Sequence, residues 1–340
     1  MSIYAAYDDG LRVIDPVDER VDTRLEGQGV ECLAVDPRTP DRVLTGTWNG
    51  LYRSGDAGAT FDRVATGALD PAADEGIDAV TALAVSPDDP ETVLVGTEPS
   101  RIYRSTDGGR HVDHIEGLQR VSSVDEWSFP PRPDTHHVRW IESYPADADR
   151  WYVGIEAGAF VVTPDGGETW IDRPEGSRRD THTIGTHPDA PDRVYVAAGD
   201  GYAESDDRGA SFAVSSAGLD HGYVWGLAVD PSDPDRVLVS AASGATAAHR
   251  RGEAYLYRKG NPDATGSDGE CGWERLDDRG IPTGDGTYRA VLAAGTDTGE
   301  IWALTDRGLY RTTDCGDSFR GVAVDLPPKI PRALAVVSRE

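Results

Sequence analysis

The sequence predicts an all-β fold built from repeated four-stranded units, and three observations carry that prediction. A Ser/Thr-x-Asp-x-Gly-x-Thr/Ser-aromatic motif recurs at 54–61, 163–170, 205–212 and 312–319, with a divergent copy at 105–112. A Pro- and Asp-rich turn recurs upstream of three of these motifs and in one unit without a motif, at 36–42, 86–90, 187–193 and 230–236. The two ends of the chain carry strand patterns that complete one another. The motif has the chemistry of a tight hairpin. Short hydroxyl and carboxylate side chains satisfy the turn's own N–H groups, glycine supplies positive φ, and the aromatic residue buries beside the next strand. Five copies in one chain indicate a repeat architecture.

Each motif closes a longer unit. In the first unit, Cys32-Leu33-Ala34-Val35 leads through the 36–42 turn to Val43-Leu44-Thr45-Gly46-Thr47, then to Gly50-Leu51-Tyr52-Arg53 and the motif. Short β-rich runs bounded by Pro, Gly and Asp read as strands, here a, b, c and, after the motif, d. Units are expected near 30–65, 80–118, 138–175, 183–216, 224–278 and 288–325. The fifth has strand c at 254–258, with an insertion at 260–272 in place of its motif. Residues 332–337 look like a strand a with nothing after it, and 3–7, 10–14 and 20–25 like strands b, c and d with nothing before them. One shared unit, 332–340 plus 1–26, makes seven and protects the sheet edges by closing the ring.

The motif is the Asp-box, or BNR repeat, and the chain resembles the Asp-box β-propellers: sialidases, sortilin-type receptors and photosystem II assembly factors. The resemblance covers nearly the whole chain. It implies an all-β, seven-bladed β-propeller of four-stranded blades, closed by pairing the N- and C-terminal strands in one shared blade. In those families the box is structural, so fold follows from it more readily than function. Sialidases also carry an N-terminal Arg-Ile-Pro signature, an arginine triad and a Tyr-Glu pair. Here the signature is absent from the N-terminus, Ile330-Pro331-Arg332 has another order and place, and no triad maps residue by residue.

The net charge of −27 argues against nucleic acid and anionic membrane as partners. Lysine occurs only at Lys259 and Lys329, and aspartate outnumbers glutamate. Such a surface repels itself unless salt screens it, so the expectation is a cytoplasmic protein of a high-salt cell, without nucleic acid or membrane as partner. Cys32, Cys271 and Cys315 are scattered and form no Cys-x-x-Cys pair, which points to packing thiols. No basic and apolar leader opens the sequence.

Propeller topology puts the a–b and c–d turns on one face and the b–c and d–a connections around the mouth of the axial channel. His136, His137, His182, His221 and His249 fall on the mouth side. Histidine serves as acid, base or metal ligand near neutral pH, so a divalent metal there stays an open possibility of the sequence. His136 and His137 are adjacent, and on an extended segment they point apart. The 121–137 connection is the longest of its kind; Trp127, Phe129, Arg132 and the neighbouring Arg139 put aromatic faces and guanidinium groups on a proline-stiffened loop. Arg250 and Arg289 add cations that suit a carboxylate, sulfate or phosphate. Tyr223, Trp225 and Tyr288 begin inner strands and are channel-lining candidates. Glu156 and Asp200, in b–c loops, are the candidate acid/base carboxylates, with His137 and His182. The function expected is recognition of a small anionic or sugar-like ligand at the mouth, with glycosidase-like hydrolysis as its extension. The alternative is a non-catalytic assembly scaffold with a protein partner.

Overall fold

The computed structural model describes residues 1–69, 76–265 and 271–338. Seven antiparallel sheets, each with a four-stranded path, form a seven-bladed β-propeller. Blade 1 runs outward through Val30–Val35, Val43–Thr47, Gly50–Ser54 and Asp62–Val64. The inner strands of blades 2 to 6 are Ala79–Val85, Val138–Tyr144, Thr181–Thr186, Tyr223–Asp230 and Val291–Ala294. In blade 7, Ala333–Val337 is the inner strand and pairs with Ser2–Tyr7, from Ala6↔Ala333 to Ser2↔Val337. The ring is therefore closed by non-covalent pairing of the two ends. Alternate residues of the closing strand face opposite neighbours: Val337 packs with Tyr4, Val30 and Val43 towards blade 1, whereas Leu334 and Val336 pack with Trp302 and Leu304 of blade 6.

The box turns share one geometry. The Ser54 hydroxyl accepts from the Gly58 N–H at 2.8 Å and donates to Asp56 Oδ1 at 2.7 Å. Asp56 Oδ1 accepts from the Thr60 N–H at 2.8 Å, and Oδ2 from the Thr60 hydroxyl at 2.6 Å. Gly58 takes φ +83°, where a side chain is strained. The divergent copy keeps this pattern, with His111 in the position of the hydroxyl residue: Asp107 Oδ1 accepts the His111 N–H and Oδ2 lies 2.6 Å from its Nδ1. On the same face the turn arginines join blades, Arg42 to Glu91 at 2.5 Å and Arg193 to Asp235 at 2.6 Å. In blade 5 the third strand, Glu253–Thr265, runs on into the stretch read as an insertion and pairs with Cys271–Arg275; residues 266–270 lie outside those described.

The inner strands carry a feature that shapes the mouth. In five blades the register between the first two strands slips by one residue near its start, as a β-bulge, between Val30 and Cys32, Val80 and Ala82, Val138 and Trp140, Thr181 and Thr183, and Val224 and Gly226. The extra residues are Glu31, Thr81, Arg139, His182 and Trp225. A bulge redirects a side chain and leaves a backbone group without its ladder partner. In blades 3 and 5 a side chain of the preceding blade bonds the bulge. Thr81 Oγ1 donates to the Val138 carbonyl at 2.6 Å, His182 Nδ1 to that of Val224 at 2.7 Å and Thr183 Oγ1 to that of Trp225 at 2.8 Å. The blades are close enough here that a Cβ on Gly96 would sit 2.5 Å from Val138.

Candidate ligand site at the channel mouth

Below the mouth the axial channel narrows to a cavity of about 80 Å³ between the inner strands. The mouth itself opens into a cavity of about 570 Å³, within the range of small-molecule sites. It is lined by b–c and d–a connections and by the bulged inner strands. Five arginines, Arg132, Arg139, Arg250, Arg289 and Arg332, face it with four carboxylates, Glu31, Glu98, Glu156 and Asp180. The whole chain has 60 acidic and 33 basic residues. The mouth is thus a cationic exception on an anionic molecule.

Arg289 is the most unusual of these groups. It is 6% exposed, and among the described residues no carboxylate lies within ion-pair distance of it. Its Nε donates to His249 Nδ1 at 3.0 Å and its Nη1 to the Pro331 carbonyl at 3.0 Å. Its guanidinium lies 3.9 Å from the centre of the Trp225 ring, and that of Arg139 lies 4.8 Å from the same ring. Burial first, then repulsion from Arg139 and Arg332, pushes the Arg289 pKa down to about 9. A cation disfavoured this way gains most from an incoming anion. Burial and the Arg289 charge push His249 down to about 3, so its imidazole is neutral. Because Nδ1 accepts from Arg289, Nε2 carries the proton and donates to the Tyr223 hydroxyl, 2.8 Å away. The phenolic proton is left for a further acceptor. His249 and Arg250 sit on a π turn, Ala247–Arg251, whose small residues pack beneath Trp225 and Tyr223.

The opposite wall is acidic and ordered. His137 Nε2 donates to Glu156 Oε2 at 2.9 Å, and Arg139 Nε lies 3.5 Å from the same oxygen. Burial would raise the Glu156 carboxyl, but the His137 hydrogen bond, the two imidazoles and Arg139 outweigh it and hold the group well below the usual carboxylate range. Asp180 goes the other way: burial raises it, against the opposing pull of His182. His182 is completely buried, and burial pushes its pKa down. Phe129 presents its edge to His137 at 4.7 Å, and Arg132 makes a two-pronged pair with Glu98 at 2.9 and 2.5 Å.

Of the residues singled out in the sequence, Phe129, Arg132, His137, Arg139, Glu156, Tyr223, Trp225, His249, Arg250 and Arg289 line this cavity, and His182 lies directly behind it. The others lie elsewhere. Trp127 is a core residue, its indole N–H bonded to Ser123 and its ring packed with Ile141 and Ile155, because two short 3₁₀ turns fold the 116–126 stretch inward. His136 diverges from His137: it packs edge-on to Trp127, with Nδ1 near the Ser100 N–H. His221 stacks on Tyr255 and meets Tyr257. Asp200 accepts the N–H groups of Arg179 and Asp180 and so positions the loop rather than the cavity. Tyr288 reaches the Arg250 carbonyl outside the cavity. Asp180, Arg332, Glu31 and Glu98 were not singled out. The Val-x pattern at the start of the inner strands could have found Glu31, together with Arg139 and Trp225.

No family model and no curated protein matches the chain. Solved structures do match, as β-propellers. The chain is similar to the GH74 enzyme of Niastella koreensis, with TM-score 0.70 and 18% identity over 95% of this chain and 52% of that one. It is similar to the GH74 xyloglucanase of Xanthomonas campestris, with TM-score 0.66 and 19% identity over 96% of this chain and 51% of that one. YCF48 bound to D1 peptide matches with TM-score 0.58 and 14% identity, over 88% of this chain and 82% of that one. The chain spans about half the length of the two GH74 structures. At these identities the likeness concerns the fold.

Proposed function

We propose that this protein is an Asp-box propeller that binds a small organic anion, such as a sugar acid, at its channel mouth. The observation that carries the reading is Arg289: a buried guanidinium with no carboxylate partner among the described residues, set beside Arg139 at a cavity large enough for a monosaccharide. A carboxylate or phosphate there would neutralise the cluster with charge-assisted hydrogen bonds. Trp225 offers a flat face, and the Tyr223 hydroxyl offers a donor for a ligand oxygen. Hydrolysis is a second reading, which the two carboxyls bordering the same cavity, Glu156 and Asp180, would serve. The GH74 likeness is compatible with it; the YCF48 likeness is compatible with a scaffold instead. Large exposed apolar residues among those described, Val17, Trp48, Ile171 and Val214, lie on four different blades.

The test is a thermal-shift and calorimetric comparison of glucuronate, glucose 6-phosphate and glucose in molar KCl. Binding of the anions without glucose supports the reading. Failure of all three, with a protein ligand captured at the mouth instead, would hand the mouth to the scaffold alternative.

A further inference from the structure

The wall opposite Arg289 holds an arrangement that anion binding does not use. Three potential ligand atoms, His182 Nε2, Glu156 Oε1 and Asp180 Oδ2, lie within 4.8 Å of one another. His182 Nε2 is 4.0 Å from Glu156 Oε1 and 3.8 Å from Asp180 Oδ2. Each residue is oriented through its other polar atom. His182 Nδ1 donates to the Val224 carbonyl at 2.7 Å, Glu156 Oε2 accepts from His137 at 2.9 Å and Asp180 Oδ1 accepts the Ala157 N–H at 2.9 Å. Support of this kind, an imidazole N–H held by a carbonyl and carboxylates fixed from behind, is how proteins aim metal ligands.

The three atoms present lone pairs to a shared space that suits a cation. His182 is completely buried, and its Nε2 has no hydrogen-bond partner. With Nδ1 protonated, the neutral ring turns the Nε2 lone pair towards two carboxylate oxygens, acceptor against acceptor. A proton on Nε2 would give charge attraction but no hydrogen bond, because 3.8 and 4.0 Å are beyond hydrogen-bond reach. A metal ion between the three atoms would meet all three lone pairs. Bond lengths of about 2.0–2.1 Å around a four-coordinate ion put ligand atoms about 3.3–3.4 Å apart, so the three atoms must draw together by about half an ångström to one ångström.

We infer that Glu156, Asp180 and His182 form a divalent-metal site in the wall of the mouth cavity. One imidazole with two carboxylates suits a first-row ion such as Mn²⁺ or Zn²⁺ better than Mg²⁺. Glu156 and Asp180 border the cavity, so the remaining coordination positions open towards it. Both carboxylates become ligands.

The inference rests on the same mouth as the anion reading, but metal uptake is read without any organic ligand, so the two fail separately. The chelator-treated protein is titrated with Mn²⁺ in molar KCl, which screens weak ion binding by the acidic surface, and followed by electron paramagnetic resonance. One ion per chain is expected, with ¹⁴N coupling from an imidazole. Asp180→Asn keeps the Ala157 hydrogen bond available and should weaken binding at least about tenfold. His182→Gln should abolish the nitrogen coupling. Glu98→Gln, which alters the carboxylate paired with Arg132, should leave both readouts unchanged. No uptake up to millimolar Mn²⁺ or Zn²⁺ by the folded wild type would overturn the site. So would uptake that shows no nitrogen coupling, or that Asp180→Asn leaves intact.

Discussion

Ring closure can be tested at one methyl-bearing side chain. Val337 is 2% exposed on the closing strand and packs among Tyr4, Ala6, Leu11, Val30 and Val43. Val337→Asp removes a buried apolar side chain, worth about 1.5–2 kcal/mol, and puts a carboxyl where no partner waits. The effective cost of an unpaired buried charge is several kcal/mol, so the sum is on the order of 4–6 kcal/mol. That is a large part of the roughly 5–15 kcal/mol by which domains are stable. Ser338→Asp, one residue on and half-buried, is the control and should stay within about 0.5–1 kcal/mol. Urea unfolding followed by circular dichroism, in molar KCl, reads both. Deleting 333–340 should go further, leaving Ser2–Tyr7 as an open edge and broadening the transition. If Val337→Asp and Ser338→Asp unfold within about 1 kcal/mol of one another, the strand is not sealed in the register Ser2↔Val337.

Three further outcomes follow from charge. The box carboxylates of Asp56, Asp107, Asp165, Asp207 and Asp314 all have lowered pKa values, Asp56 down to about 2 through hydrogen bonds from Thr60 and Ser54. The unfolded chain then binds more protons, so their stabilisation is complete above the ordinary value of 3.8 and is lost as pH falls towards 2; melting temperature should drop steeply in that window, less so for Asp165→Asn. Burial in the channel wall, against bonds from Thr186 and Trp140, pushes Glu142 up to about 7. The folded state holds its proton more tightly, so its contribution is present below 4.5 and lost as pH rises through 7; Glu142→Gln should flatten the stability profile between those limits, as melts across that range would show. With a net charge of −27, melting temperature should climb from dilute to molar KCl; a salt-independent melt would refute the high-salt reading of the acidity.

The fold was legible because its signals are local. Ser54, Asp56, Gly58 and Thr60 contact each other within one turn, so the spacing in the sequence is the geometry in space. The pairing of 333–337 with 2–7 was legible for a different reason: each end lacked what the other had. The mouth was legible only as a face. Topology sorts loops to that side, which is why Arg289, His137 and Glu156 were among the candidates. It does not say which side chains turn inward. Trp127 and Phe129 sit two residues apart on one loop, yet the first is core and the second lines the cavity. Asp180 was one acidic loop residue among many. Its meaning comes from the Ala157 N–H and the buried His182 imidazole, contacts that only the packed blades create. Arg332 read as the start of a strand; ring closure is what brings it to the mouth.

Arg289, a buried guanidinium with no carboxylate partner among the described residues, is what makes the mouth an anion site. Calorimetry of glucuronate against wild type, Arg289→Gln and Arg132→Ala in molar KCl addresses it directly. A hydrogen bond to a charged group is worth about 2 kcal/mol, so Arg289→Gln should weaken binding about thirtyfold. Arg132, already committed to Glu98, should matter much less. Glucuronate that binds equally well to wild type and Arg289→Gln would show that Arg289 does not make the mouth an anion site.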